Sequence, residues 1–163
     1  MKIKIQHDVF RLTIISTLMV MPWKVFSATC TVSANPPLSF GVYDPGSAAP
    51  LDGVGGVRVR CTAQGGGGLV SYSILMSSGT GAYASRQMLH GTTSNVLTYN
   101  LYTNSSHTTI WGDGTASTSV VSDSYQLNSG SKTTDYPAYG RIFTHQNVRS
   151  GSYSDSITIT VNY

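Results

Sequence analysis

The closing stretch Gly151-Ser-Tyr-Ser-Asp-Ser-Ile-Thr-Ile-Thr-Val-Asn-Tyr163 constrains the fold more than any other part of the chain. In it Ile157, Ile159, Val161 and Tyr163 alternate with Ser156, Thr158, Thr160 and Asn162. β-Branched and aromatic residues at period two mark a strand with one buried and one wet face, whereas a helix would scatter them around its axis. A strand that stops on its buried phase has no following residues to cover the neighbouring edge. A segment from elsewhere is expected to cover it.

The remaining sequence repeats the β signal in shorter pieces. Glutamate is absent, and Gly, Ser and Thr are frequent, which is the balance of short strands and tight turns. Strands are expected over residues 30–33, 38–43, 57–61, 69–76, 96–102, 108–111, 136–143 and the closing segment. In the third of these Val57, Val59 and Cys61 face inward and Arg58 and Arg60 outward. Residues 77–93 read as a polar hairpin region, and 117–134 as one or two irregular edge strands. The glycines 65–68 lack the lysine and helix of a phosphate loop and read as a flexible turn. Such spacing predicts one antiparallel, immunoglobulin-like β-sandwich.

Residues 1–27 have the order of a secretory signal: Lys2, Lys4 and Arg11, then an apolar run, then small residues around Ser27. That run is too short for a stable membrane anchor, and cleavage after Ser27 leaves a mature domain of 28–163. Without the leader, six bases face six aspartates, so the formal charge falls from +3 to zero. A neutral domain lacks the electrostatic footprint of a nucleic-acid or anionic-membrane binder; Arg58 and Arg60 read as a solvated strand face.

Export to an oxidising compartment makes a Cys30–Cys61 disulfide the default reading. Lipidation at Cys30 is the weaker alternative, because Thr29 suits it poorly and Cys61 would be left alone. No catalytic, cofactor or metal site is expected. His90, His107 and His145 lack ligand spacing, and most aspartates sit in turn contexts. Trp111 reads as core packing in preference to a sugar platform.

Phe40-Gly-Val-Tyr-Asp-Pro45, Tyr99-Asn-Leu-Tyr-Thr103, Ile110-Trp-Gly-Asp-Gly114, Tyr139-Gly-Arg-Ile142 and the closing segment, with the paired cysteines, together resemble the spore coat protein U domain of archaic chaperone-usher fimbriae. The resemblance covers nearly the whole mature chain. It implies a sandwich lacking its final strand, escorted by a periplasmic chaperone, polymerised through an outer-membrane usher, and completed by a strand from a neighbouring subunit. Attachment and biofilm formation at the cell surface would follow, with Ile157, Ile159, Val161 and Tyr163 as the edge that binds chaperone or donor strand. Rod-forming members carry a donor extension before the first cysteine, where this chain has only Ala28 and Thr29, which implies a tip or initiating subunit. Phe143-Thr-His-Gln146 departs from the family's usual loop. A secreted coat or matrix protein is the alternative, and a small secreted lectin or hydrolase the weakest reading.

Overall fold

A computed structural model describes residues 26–163; the leader expected over 1–27 lies, apart from Phe26 and Ser27, outside the described residues. Ten strands follow one another: β1 (Ala28–Ala34), β2 (Leu51–Ala63), β3 (Gly68–Met76), β4 (Gly81–Ala82), β5 (Ser85–His90), β6 (Val96–Tyr102), β7 (Val121–Leu127), β8 (Ser131–Ile142), β9 (Tyr153–Ser154) and β10 (Ile159–Asn162). One sheet runs β1-β2-β8-β6-β5-β4, with β9 paired to β5; the other runs β10-β3-β7. All pairs of these strands are antiparallel, and no helix occurs among the described residues. The expected all-β antiparallel architecture is therefore observed.

The core lies between the sheets. Val57, Val59 and Cys61 of β2, Val70, Tyr72, Ile74 and Met76 of β3, and Leu97, Tyr99 and Leu101 of β6 are all buried. Arg58 and Arg60 are exposed, as the alternation requires. Cys30 and Cys61 lie opposite each other in the β1·β2 register and form the disulfide. By the chain-entropy model, closing a loop of this size removes about 3–4 kcal/mol of unfolded-state freedom. Trp111 is wholly buried, and its indole Nε1 donates to the Ile74 carbonyl at 3.0 Å.

Several expectations are corrected. Residues 38–43 form no strand, because they cross over the first sheet without pairing in it. The hairpin region 77–93 contains β4 and β5, the latter carrying the fully buried Arg86. Residues 108–111 make only isolated bridges, Tyr102 to Ile110 and Trp111 to Ser119. The serine-rich 117–134 yields a regular β7 and the start of β8, which sits centrally between β2 and β6. Finally, the closing strand is broken between β9 and β10. There the Asp155 carboxylate accepts from Thr80 N, Ser156 N and the Tyr99 hydroxyl, holding the backbone away from a continuous ladder.

Candidate functional site

The layers are unequal: the second sheet has three strands above a much wider first one. Beside β10 the second layer simply stops, and the first sheet's inner face forms the floor of a groove of about 820 Å³. Val57, Leu97, Tyr99, Leu101, Ala138 and Ile142 supply that floor, with Met76 and Met88 beside it. Residues around 37–45 make one wall and those of 148–159 the other.

The first wall is seated by missing side chains. A Cβ on Gly55 would stand 2.8 Å from Leu38 Cα, and one on Gly140 would stand 2.6 Å from Phe40 Cζ. Both are closer than real Cβ contacts, so glycine at these strand positions lets Leu38 and Phe40 lie directly on the sheet. Gln146 fastens the far end of this wall. Its backbone N–H donates to the Tyr43 hydroxyl at 2.8 Å, while its side chain accepts from Thr98 N and donates to Thr98 O. Gln146 closes the loop Phe143-Thr-His-Gln146, and no motif in the sequence signalled this role.

The second wall presents backbone as well as side chains. Ser77 N donates to Thr158 O at 2.9 Å, and Ile159 stands opposite Met76 and Val161 opposite Ile74. In an antiparallel ladder bonded residues alternate, so Thr158, Thr160 and Asn162 bond toward β3. Ile157, Ile159 and Val161 consequently aim their own N–H and C=O groups away from β3. On the opposite wall no hydrogen bond from the backbone of residues 38–43 occurs among the described residues. Two unpaired backbones thus face each other across an apolar floor.

Of the residues singled out by sequence, Ile157 and Ile159 line the groove. Val161 packs against the core beyond it. Tyr163 does not line it: 60% exposed, it follows the last paired residue and lies beside Ser71, Asp123 and Asn162, away from the groove. The floor and the first wall were missed as site residues, although the alternation in 96–102 and the motif Phe40–Pro45 carried the signal.

Tyr99 and Arg86 give the groove its polar support. The Tyr99 hydroxyl donates to Asp155 at 2.7 Å, and burial, then this bond, pushes the phenol's pKa well up. Arg86 donates to Asn100 Oδ1, the Ser77 carbonyl and the Trp111 carbonyl, all neutral oxygens, and burial lowers its pKa. Its guanidinium ties the end of β3, the middle of β6 and the Trp111 bridge into one block beneath the second wall. Among the described residues no three His, Cys, Asp or Glu side chains come together as a metal site.

Comparison with known proteins fits this geometry. No curated protein matches the chain. A solved structure, described as the CsuC-CsuE chaperone-tip adhesion subunit pre-assembly complex from archaic chaperone-usher Csu pili of Acinetobacter baumannii, is similar with a TM-score of 0.52 and 20% identity. The likeness covers 84% of this chain and 40% of that one, and it is a likeness of fold. The family model described as Spore Coat Protein U domain matches residues 15–160, most of the sequence, and the chain belongs to that family.

Proposed function

We propose that this domain is a subunit of a chaperone-usher surface fibre and that its groove accepts a β-strand from another polypeptide. The observation that carries the reading is the groove itself, apolar below and bounded on both sides by backbone with free hydrogen-bonding groups. An extended segment laid there gains main-chain bonds on both edges and buries alternate side chains, which is β-augmentation. At roughly 1.5–3 kcal/mol for each large apolar side chain buried, four or five of them are comparable with the whole stability of a domain this size. Such a subunit depends on a periplasmic chaperone until a neighbouring subunit supplies the strand, and an outer-membrane usher is the exit route.

Cleavage after Ser27 leaves Ala28 and Thr29 ahead of Cys30, and both are already paired, to Ala63 and Thr62. That pairing supports a subunit that receives a strand without giving one, at the tip or the initiating position, serving attachment and biofilm formation.

The test is to append a turn and a nine-residue strand of alternating Val and Thr after Tyr163. The extended chain is expected to be monomeric and soluble, with a Tm at least about 10 °C above that of the unextended chain. A lone mature chain that unfolds reversibly at the same temperature as its extended form overturns the reading.

A further inference from the structure

The geometry points to a second docking surface: the outer face of the first sheet pairs with the same face of a second copy of this chain, strands antiparallel, through an apolar centre bracketed by two arginine–aspartate pairs. The inference goes beyond the strand-accepting function and does not depend on it, because the groove opens between the sheets and this patch lies outside them.

Four cross-strand rows of β2 and β8 make the patch: Asp52 stands opposite Arg141, Val54 opposite Tyr139, Gly56 opposite Pro137, and Arg58 opposite Asp135. Their chain neighbours Val57 and Ala138 are buried in the core, so at period two these residues face outward. Val54 is 59% exposed and Pro137 is exposed beside it, which leaves the middle rows presenting apolar surface to solvent. The end rows carry charge in opposite order. On β2 aspartate begins the patch and arginine ends it; on β8 the same rows hold arginine first and aspartate last. Each charge therefore has unlike charges as its nearest neighbours in the square.

Such a square matches its own copy. A two-fold axis lying in the face and running across the strands lays the row of Asp52 over the row of Arg58 in the other copy. Asp52 then faces the second copy's Arg58, and Arg141 its Asp135, with each contact made twice, as an isologous interface requires. The apolar rows fit too, since Val54 falls over Gly56 and Tyr139 over Pro137, a large side chain over a small one each time. An axis along the strands would also oppose unlike charges, but it would set Val54 against Tyr139 and leave a gap between Gly56 and Pro137. Aligned sheets cross at only about 30°, and the long arginine side chains take up the offset at the end rows.

The loop after β6 favours the same arrangement. His107 meets the Tyr102 and Tyr139 rings edge to face, centroids 5.2 and 6.3 Å away, and its Nε2 lies 3.8 Å from Asp52. Residues 103–109 thus form a rim beside the first two rows. Beside the last two rows the flank is open, because β6 pairs with β8 over Tyr139–Ile142 and no further. An antiparallel copy brings its rim into this opening and offers its own opening to this rim.

Two strands and four rows cover roughly 10 by 26 Å, well short of the roughly 800 Å² that each partner contributes to a stable complex. Exposed charges add specificity more than affinity. The product is accordingly a weak, reversible dimer with a dissociation constant on the order of 0.1–1 mM.

Sedimentation equilibrium of the strand-extended chain described above tests this. Between about 10 μM and 1 mM the average mass should climb reversibly toward that of a dimer. Arg58→Asp together with Asp135→Arg keeps the ion pair within each copy but sets like charges against each other across the two-fold, and should weaken association about tenfold or more. Adding Asp52→Arg and Arg141→Asp reverses the other end row and should restore it. Val54→Ser should weaken association while leaving the unfolding temperature nearly unchanged, which decides the matter even where the charge-exchanged chain fails to fold. No rise in mass up to about 1 mM overturns the inference, and so does association that the first exchange leaves unchanged. Association seen only without the appended strand belongs to the groove and likewise overturns the face. Failure of that strand to raise the Tm bears on the groove alone, since the charge exchange reads the face in either chain.

Discussion

Arg86 shows how much one residue can organise. A guanidinium with no exposed surface normally carries a carboxylate partner, yet here its donors end on two carbonyls and an amide oxygen. Those oxygens belong to Ser77, Trp111 and Asn100, which lie well apart in sequence and converge on this one side chain. Removing it strands two buried carbonyls, those of Ser77 and Trp111, and leaves Asn100 Oδ1 with the Leu101 N–H alone. Arg86→Met is therefore expected to destabilise the domain by about 3 kcal/mol or more, read from urea unfolding, and Arg86→Lys to recover only part of that because an ammonium cannot span the same fork. Nothing in the sequence foretold this. An arginine in a stretch rich in Gly and Ser reads as a surface charge, and only the alternation Arg86, Met88 on one face of a short strand hinted otherwise.

At the scale of elements, legibility followed side-chain chemistry. β6 and most of β3 were readable because alternating Val, Leu, Ile, Met and Tyr leave no other assignment. The first half of β2 was not, since Gly53, Gly55 and Gly56 have poor strand propensity and derive their conformation from the wall above them. The groove's C-terminal wall was half legible. Alternation identified Ile157 and Ile159, but the break at Asp155 depends on Thr80 and Tyr99, partners too distant for any local pattern to show. The motif Tyr139–Ile142 acquires a physical meaning: Gly140 is the floor beneath Phe40, and Ile142 stands beside Tyr99. Gly140→Ala should push the first wall off the sheet, costing about 1–3 kcal/mol in thermal unfolding, and Phe40→Leu in the same chain should restore part of the loss.

For the molecule as a whole, the outer face of the wide sheet is tied at two places by Arg–Asp pairs between β2 and β8. Arg58 meets Asp135, and Arg141 meets Asp52, each with two contacts of 2.7 and 2.8 Å. Hydrogen bonding to these arginines, the largest influence on each, holds both carboxyls below the ordinary value of 3.8. A group whose pKa is depressed by folding adds stability above its unfolded pKa, and that stability is lost as pH falls through the folded value. Unfolding temperature should thus drop below about pH 4, and Asp52→Asn with Asp135→Asn should flatten that slope while changing little at pH 7, because exposed pairs are screened.

The two groove walls run in opposite directions, since residues 37–45 lead away from β1 while 148–159 lead back toward β10. Both lie lengthwise beside whatever occupies the space between them. Tension applied to the ends of such an occupant acts along its axis, so the rungs on both flanks share the load and must shear together instead of unzipping one by one. A junction of this geometry resists being pulled lengthwise far better than being peeled from one end.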